Sequence, residues 1–103
     1  MKTITEIEYW FLSMKERENF TGIVKWHDNS ISYIKNNLCH REDGPAYIGC
    51  YGTKAWYFEG LLHNLNGPAR IFPDGREEYW VYGNPTTKEA IEFLRDMIKL
   101  KAI

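Results

Sequence analysis

Cysteine is scarce in this sequence, neither sign of charge dominates, and no long apolar run occurs. Two cysteines, Cys39 and Cys50, cannot make a disulfide framework, so reduced thiols in a cytoplasmic protein are the expectation. The densest apolar run, Tyr9 to Leu12, is far too short to cross a bilayer. The N-terminal stretch carries Glu6 and Glu8 and has no basic segment ahead of an apolar one, so no secretory signal and no membrane partner are expected. Thirteen basic residues against fourteen acidic ones leave a formal charge of −1. That balance excludes general nucleic-acid coating, which needs positive excess.

Catalytic signatures are missing as well. Ser13, Ser30 and Ser32 lack a G-x-S-x-G context, and no phosphate-binding or dinucleotide fingerprint occurs. Glu77 and Glu78 alternate faces on an expected strand, so their carboxylates do not converge. Cys39, His40, Cys50 and His63 include metal-ligating atom types without paired ligand spacing. The expectation is a protein that is not an enzyme and carries no metal or cofactor.

What is present is a period. Written in blocks of 23, residues 21–89 align without a gap. Gly44-Pro45-Ala46 falls on Gly67-Pro68-Ala69, and His40 falls on His63. Tyr33, Trp56 and Tyr79 share one phase, and Ile34, Tyr57 and Trp80 share the next. Asp28-Asn29, Tyr51-Gly52 and Asp74-Gly75 coincide as turn pairs, and Asn37, Gly60 and Gly83 as a second turn. A fixed period of this length is the signature of stacked supersecondary units. All eight Gly, all four Pro and 12 of the 16 aromatics lie between residues 20 and 86, so turn-punctuated β-structure fills the middle.

Two turns per unit place two strands in each period, near 21–27, 31–36, 45–50, 54–58, 68–72 and 76–82. Asn-Gly-type pairs suit the positive φ of primed hairpin turns. Pro45 and Pro68 belong at strand starts, because they cannot donate to a ladder. The first strand, with few charges beyond Lys25, reads as a free edge, which would allow a homo-oligomer.

The flanks follow a helical period. Ile4, Ile7, Trp10, Phe11 and Met14 predict a helix over about 4–18, capped by Thr3 with Glu6. Ala90, Ile91, Leu94, Met97 and Ile98 predict a second over about 87–100, capped by Thr86 with Glu89. Both stripes are expected to be buried on the sheet. The fold class is thus α+β: an antiparallel meander of about six strands from three 23-residue units, flanked by two helices. It forms a single domain over 1–103, divided as 1–19, 20–86 and 87–103.

Trp56-Tyr57-Phe58-Glu59-Gly60-Leu61-Leu62-His63, followed by Gly67-Pro68-Ala69 and Asp74-Gly75, resembles a MORN-type repeat. More closely, His40-Arg41-Glu42-Asp43-Gly44-Pro45-Ala46 resembles the H-R-x-D-G-P-A repeats of bacteriophage and giant-virus proteins. The resemblance covers about two-thirds of the chain, with block two the best match. Block one lacks Gly-Pro-Ala, and block three has Thr86 in the His phase. The resemblance implies a β-hairpin array used for binding, in a phage-type protein that acts on a host protein factor, as in inhibition of host defence.

The candidate binding residues are His40, Arg41, Trp56, Tyr57, His63, Arg70, Tyr79 and Trp80. Exposed Trp and Tyr would anchor a protein partner, with Arg41 and Arg70 as polar contacts. The alternative is sequestration of a small anionic signalling nucleotide. There a base stacks on Trp56 or Trp80, and phosphates meet Arg41, Arg70, His40 or His63. The net charge of −1 over residues 21–86, six basic and seven acidic, favours the protein partner.

Overall fold

The computed structural model describes residues 1–101. The last two residues of the expected C-terminal segment, 102–103, lie outside the described residues.

Six strands form the body: β2 (Gly22–Lys25), β3 (Ile31–Lys35), β5 (Tyr47–Ile48), β6 (Lys54–Ala55), β9 (Arg70–Ile71) and β10 (Glu77–Val81). They pair antiparallel in chain order, as the meander requires. Five further short strands go beyond the sequence expectation. β4 (Leu38–Cys39) returns along β3, β7 (Tyr57–Phe58) pairs with β8 (Leu61–Leu62), and β11 (Asn84–Thr86) closes on β10. β1 (Thr3–Thr5) runs parallel to β2. The first meander strand is therefore not the free edge; β1 covers it.

The same hydrogen bonds recur once per period. The amides of Trp26, Gly49 and Phe72 donate to the carbonyls of Ser30, Thr53 and Arg76 at 2.8–2.9 Å. Between them Asn29, Gly52 and Gly75 take φ of 71°, 98° and 91°. Only this one residue of each turn pair has positive φ, so these are three-residue loops ending in a left-handed bulge residue, not primed turns. Primed geometry sits instead at the second turn, where both residues have positive φ: Asn36-Asn37, Glu59-Gly60 and Tyr82-Gly83. Pro45 and Pro68 lie two residues ahead of β5 and β9, and the Ala46 and Ala69 that follow them are wholly buried.

The expected single helix over 4–18 is broken. Thr3–Thr5 is strand, followed by α1 (Glu6–Trp10) and α2 (Met14–Glu18). Thr5 with Glu8, rather than Thr3 with Glu6, makes the first capping box, and Ser13 with Glu16 makes a second that restarts the helix. At the other end α3 (Lys88–Lys101) is capped by Thr87, whose Oγ1 accepts the Ala90 amide at 3.2 Å, while Thr86 belongs to β11.

Ladder partners point to one side of a sheet. Val24, Ser32, Tyr47, Ala55, Arg70 and Glu78 therefore share a first face, and Lys25, Ile31, Ile48, Lys54, Ile71 and Glu77 a second. The helices take opposite faces at opposite ends. Ile4, Phe20 and Val24 form the core on the first face, with Tyr9, Leu12, Trp26 and Ile34 packed around it. On the second face Ile91 of α3 closes a trough with Tyr79, Glu77, Gly67 and Pro68. Each face is thus covered at one end only. The dimensions agree: the Cα radius of gyration is 15.4 Å, against about 13 Å for a compact chain of this length.

Burial of both helical stripes is the expectation that fails most clearly. Ile91 is the one buried side chain of α3, and α1 and α2 bury none. Ile7, Trp10, Phe11 and Met14 at one end, and Phe93, Leu94, Met97, Ile98 and Leu100 at the other, face outward. At the N-terminal end the cause is geometric. Two capping boxes divide the stripe into helices of 5 residues each, too short to present one continuous buried face.

Candidate functional site

His40 and His63 occupy matching positions. The Nδ1 of His40 accepts the Glu59 amide at 2.9 Å, and the Nδ1 of His63 accepts the Tyr82 amide at 3.0 Å. The donating residues are the first members of two primed turns, whose left-handed backbone aims those amides inward. Each histidine's own amide in turn donates to the carbonyl of Tyr33 or Trp56. With Nδ1 as acceptor, the neutral ring carries its proton on Nε2. His40 lies with its side chain 8% exposed beside Phe58, at 4.8 Å between ring centres. His63 stacks on Tyr82 at 3.9 Å, and burial lowers its pKa from the ordinary 6.5.

Arg41 is held on three sides. Its guanidinium lies over Tyr33 at 4.1 Å, Nε donates to Asp43 at 2.8 Å, and Nη1 donates to the Pro45 carbonyl at 3.2 Å. Asn64, 23 residues beyond Arg41, donates in the same way to the Pro68 carbonyl at 2.9 Å. Arg41 thus clamps the segment before a buried alanine. Arg70 pairs with Glu78 at 2.6 Å and lies 5.4 Å from the Phe72 ring centre and 5.9 Å from that of Trp80. The Trp80 indole also donates to Glu78, at 3.3 Å. Hydrogen bonds from Arg70 hold the Glu78 carboxyl below its ordinary pKa.

Tyr57 is half-buried, and burial raises its phenol pKa. Trp56 is half-buried, its amide bonded to the Ala69 carbonyl at 2.7 Å. Tyr79 lies in the trough beside α3. The eight candidate residues do not converge on one cavity. His40 and Arg41 line a groove of about 640 Å³, together with Thr21, Tyr33 and Lys35. Arg70 and Trp80 lie on the sheet at β9 and β10, and His63 with Tyr82 lies along the row of primed turns.

A second surface lies outside the candidates read from sequence. Around α1 and α2, Trp10 packs against Tyr9 and Trp26, with Arg17 over its ring at 5.5 Å. Ile7, Phe11 and Met14 project beyond them, Phe11 at 84% exposure. The helical stripe itself is the signal for this surface, and reading that stripe as core conceals it. Among the described residues no cluster of His, Cys, Asp or Glu could hold a metal ion, and no helix is long and apolar enough to cross a membrane. No protein family, curated protein or solved structure matches the chain.

Proposed function

We propose that this chain is a short array of three 23-residue MORN-like units that acts as a binding protein, not an enzyme, with a protein as its partner. The proposed setting is the one the H-R-x-D-G-P-A motif implies: a phage-type protein in the host cytoplasm that engages a host factor, as in inhibition of host defence. The observation that carries the binding reading is the α1–α2 surface. Ile7, Trp10, Phe11 and Met14 form an outward apolar group at one end of the sheet. Exposed apolar side chains with an aromatic anchor and an adjacent Arg are the usual make-up of a protein-binding hot spot.

The nucleotide alternative has less support, because the guanidinium groups of Arg41 and Arg70 are already engaged by Asp43, the Pro45 carbonyl and Glu78. The test is affinity capture from a bacterial lysate with the wild type and with Phe11→Glu/Met14→Glu. The reading expects one stoichiometric protein retained by the wild type and lost from the variant. Equal recovery by both moves the interface elsewhere, and a retained mass of a few hundred daltons with no protein supports the nucleotide instead.

A further inference from the structure

The hairpins β3–β4, β7–β8 and β10–β11 are joined edge to edge by bonds that lie outside the meander. Between the first and second, the Gly60 amide donates to the Cys39 carbonyl at 2.8 Å and the Glu59 amide to His40 Nδ1 at 2.9 Å. Between the second and third, the Gly83 amide donates to the Leu62 carbonyl at 2.8 Å and the Tyr82 amide to His63 Nδ1 at 3.0 Å. The first hairpin is held in the same way through a different side chain. Its Asn37 amide donates to the Phe20 carbonyl at 3.0 Å and its Asn36 amide to Thr21 Oγ1 at 3.1 Å. Two turns are thus fastened by a group that titrates near neutrality, and one by a hydroxyl that does not. We propose that His40 and His63 are acid-released latches. Protonation of each ring frees the turn it holds, Glu59-Gly60 or Tyr82-Gly83, while the meander and the Asn36-Asn37 turn stay closed.

The latch depends on one lone pair. A protonated imidazole carries a donor on both ring nitrogens and cannot accept an amide, whereas the Thr21 hydroxyl keeps its lone pairs throughout. The turns themselves favour release. Glu59 and Tyr82 take φ of 48° and 45°, a region that costs residues with a Cβ. Gly60 lies against Leu38 and Gly83 against Leu61, so opening also uncovers the two leucines along the hairpin edges.

The surrounding charges do not oppose it. His63 packs between Phe58 and Tyr82, and burial alone lowers its pKa. His40 packs on Phe58. The groove beside it carries Lys35 and Arg41 against Glu42 and Asp43, a balanced set, and Glu59 sits on the turn itself. The nearest of these, the Glu42 carboxylate, lies 3.8 Å from Nε2 and leaves Nδ1 to the amide. In the closed turn the ring is neutral; once released, it takes up a proton at the ordinary value of about 6.5. Opening therefore grows as pH falls below that value, by up to about 30-fold at pH 5.

Amide hydrogen exchange of the full ¹⁵N-labelled chain at pH 8 and pH 5, expressed as protection relative to an unfolded chain, tests this. Protection of Glu59, Gly60, Tyr82 and Gly83 is expected to fall by up to about 30-fold, with Asn36, Asn37 and the amides of β2 and β3 unchanged. In His63→Asn the Oδ1 keeps an acceptor in place without titrating, so the loss should vanish at Tyr82 and Gly83 and persist at Glu59 and Gly60. His40→Asn should do the reverse. Imidazole ¹⁵N shifts of the wild type at pH 8 should show the proton on Nε2 in both rings. Protection that does not change with pH at either turn overturns the proposal. So does an equal loss at Asn36 and in β2 and β3, which means whole-sheet unfolding, or a proton on Nδ1 of either ring at pH 8.

Discussion

His63 is bound to Tyr82 twice over: its Nδ1 takes the Tyr82 amide at 3.0 Å, and its ring stacks on the Tyr82 ring at 3.9 Å. Protonation of Nδ1 would set an N–H against an N–H, and burial already disfavours the charged ring. The folded pKa is therefore below the unfolded value of 6.5. The unfolded chain takes up the proton first, so stability is complete above that value and falls as pH drops below it. Thermal melting from pH 8 to pH 5 should show the midpoint falling below about pH 6.5. His63→Asn should be less stable at pH 8 and show a flatter decline over this range. Identical pH slopes for the two proteins would remove His63 as the cause.

A separate loss of stability is expected in acid. Asp28, Asp43 and Asp74 have pKa values lowered by hydrogen bonds from Ser30, Arg41 and Arg76, and Glu78 by Arg70. Their contribution is present above the ordinary carboxylate values of 3.8 and 4.5, and is lost as pH falls through the lowered ones. The melting profile should thus have two steps, with the histidine step reduced in His63→Asn and the carboxylate step retained.

The alanines after each Gly-Pro are tightly held positions of the sheet. Ala46 and Ala69 are fully buried, and each has its amide and carbonyl in inter-strand bonds at 2.7–2.8 Å. Ala69→Leu forces three extra carbons into this space and should cost about 1–3 kcal/mol. Urea denaturation would register this as a lower midpoint with an unchanged slope. A neutral effect would mean that the neighbouring strands yield more readily than their hydrogen bonds suggest.

The glycines separate two kinds of requirement. A Cβ on Gly22 would stand 2.5 Å from the Lys2 carbonyl oxygen, the atom that accepts the Ile23 amide at 2.8 Å. Gly22→Ala therefore pushes β1 away and uncovers Ile4. Gly75 has open space around it and only its φ of 91° to protect. Gly75→Ala should cost about 1 kcal/mol, and Gly22→Ala clearly more, with faster hydrogen exchange at the Ile23 amide. Equal costs would show that β1 adds little to stability.

The chain reversals of the middle are legible because turn chemistry is local. Asp28-Asn29, Tyr51-Gly52 and Asp74-Gly75 announce chain reversals, and six meander strands follow from their spacing. β1 is not legible, because Thr3-Ile4-Thr5 becomes a strand only when β2, well along the chain, supplies its partners. The N-terminal helix is misread because three Thr/Ser-x-x-Glu pairs compete there, at Thr3, Thr5 and Ser13. Sequence spacing cannot rank them; the parallel pairing of Thr3–Thr5 does. At the site, residue types are readable but their engagement is not. The particular partners, the Glu59 amide for His40 and the Pro45 carbonyl for Arg41, come from turns and loops that only the folded chain brings together.

The two cysteines should react at very different rates. Cys39 is mostly buried; its Sγ donates to the Ala46 carbonyl at 3.6 Å, and burial pushes its pKa up to about 11. Cys50 is exposed in the β5–β6 turn. The thiolate is the reactive form, so at pH 8 Cys39 is almost wholly protonated as well as shielded. Ellman's reagent should therefore titrate one thiol at once and the second only on addition of denaturant. Cys50→Ser should abolish the fast phase and leave the slow one. Rapid modification of both thiols in the native protein would mean that the β3–β4 hairpin opens readily, and that Ala46 is less firmly buried than its hydrogen bonds indicate.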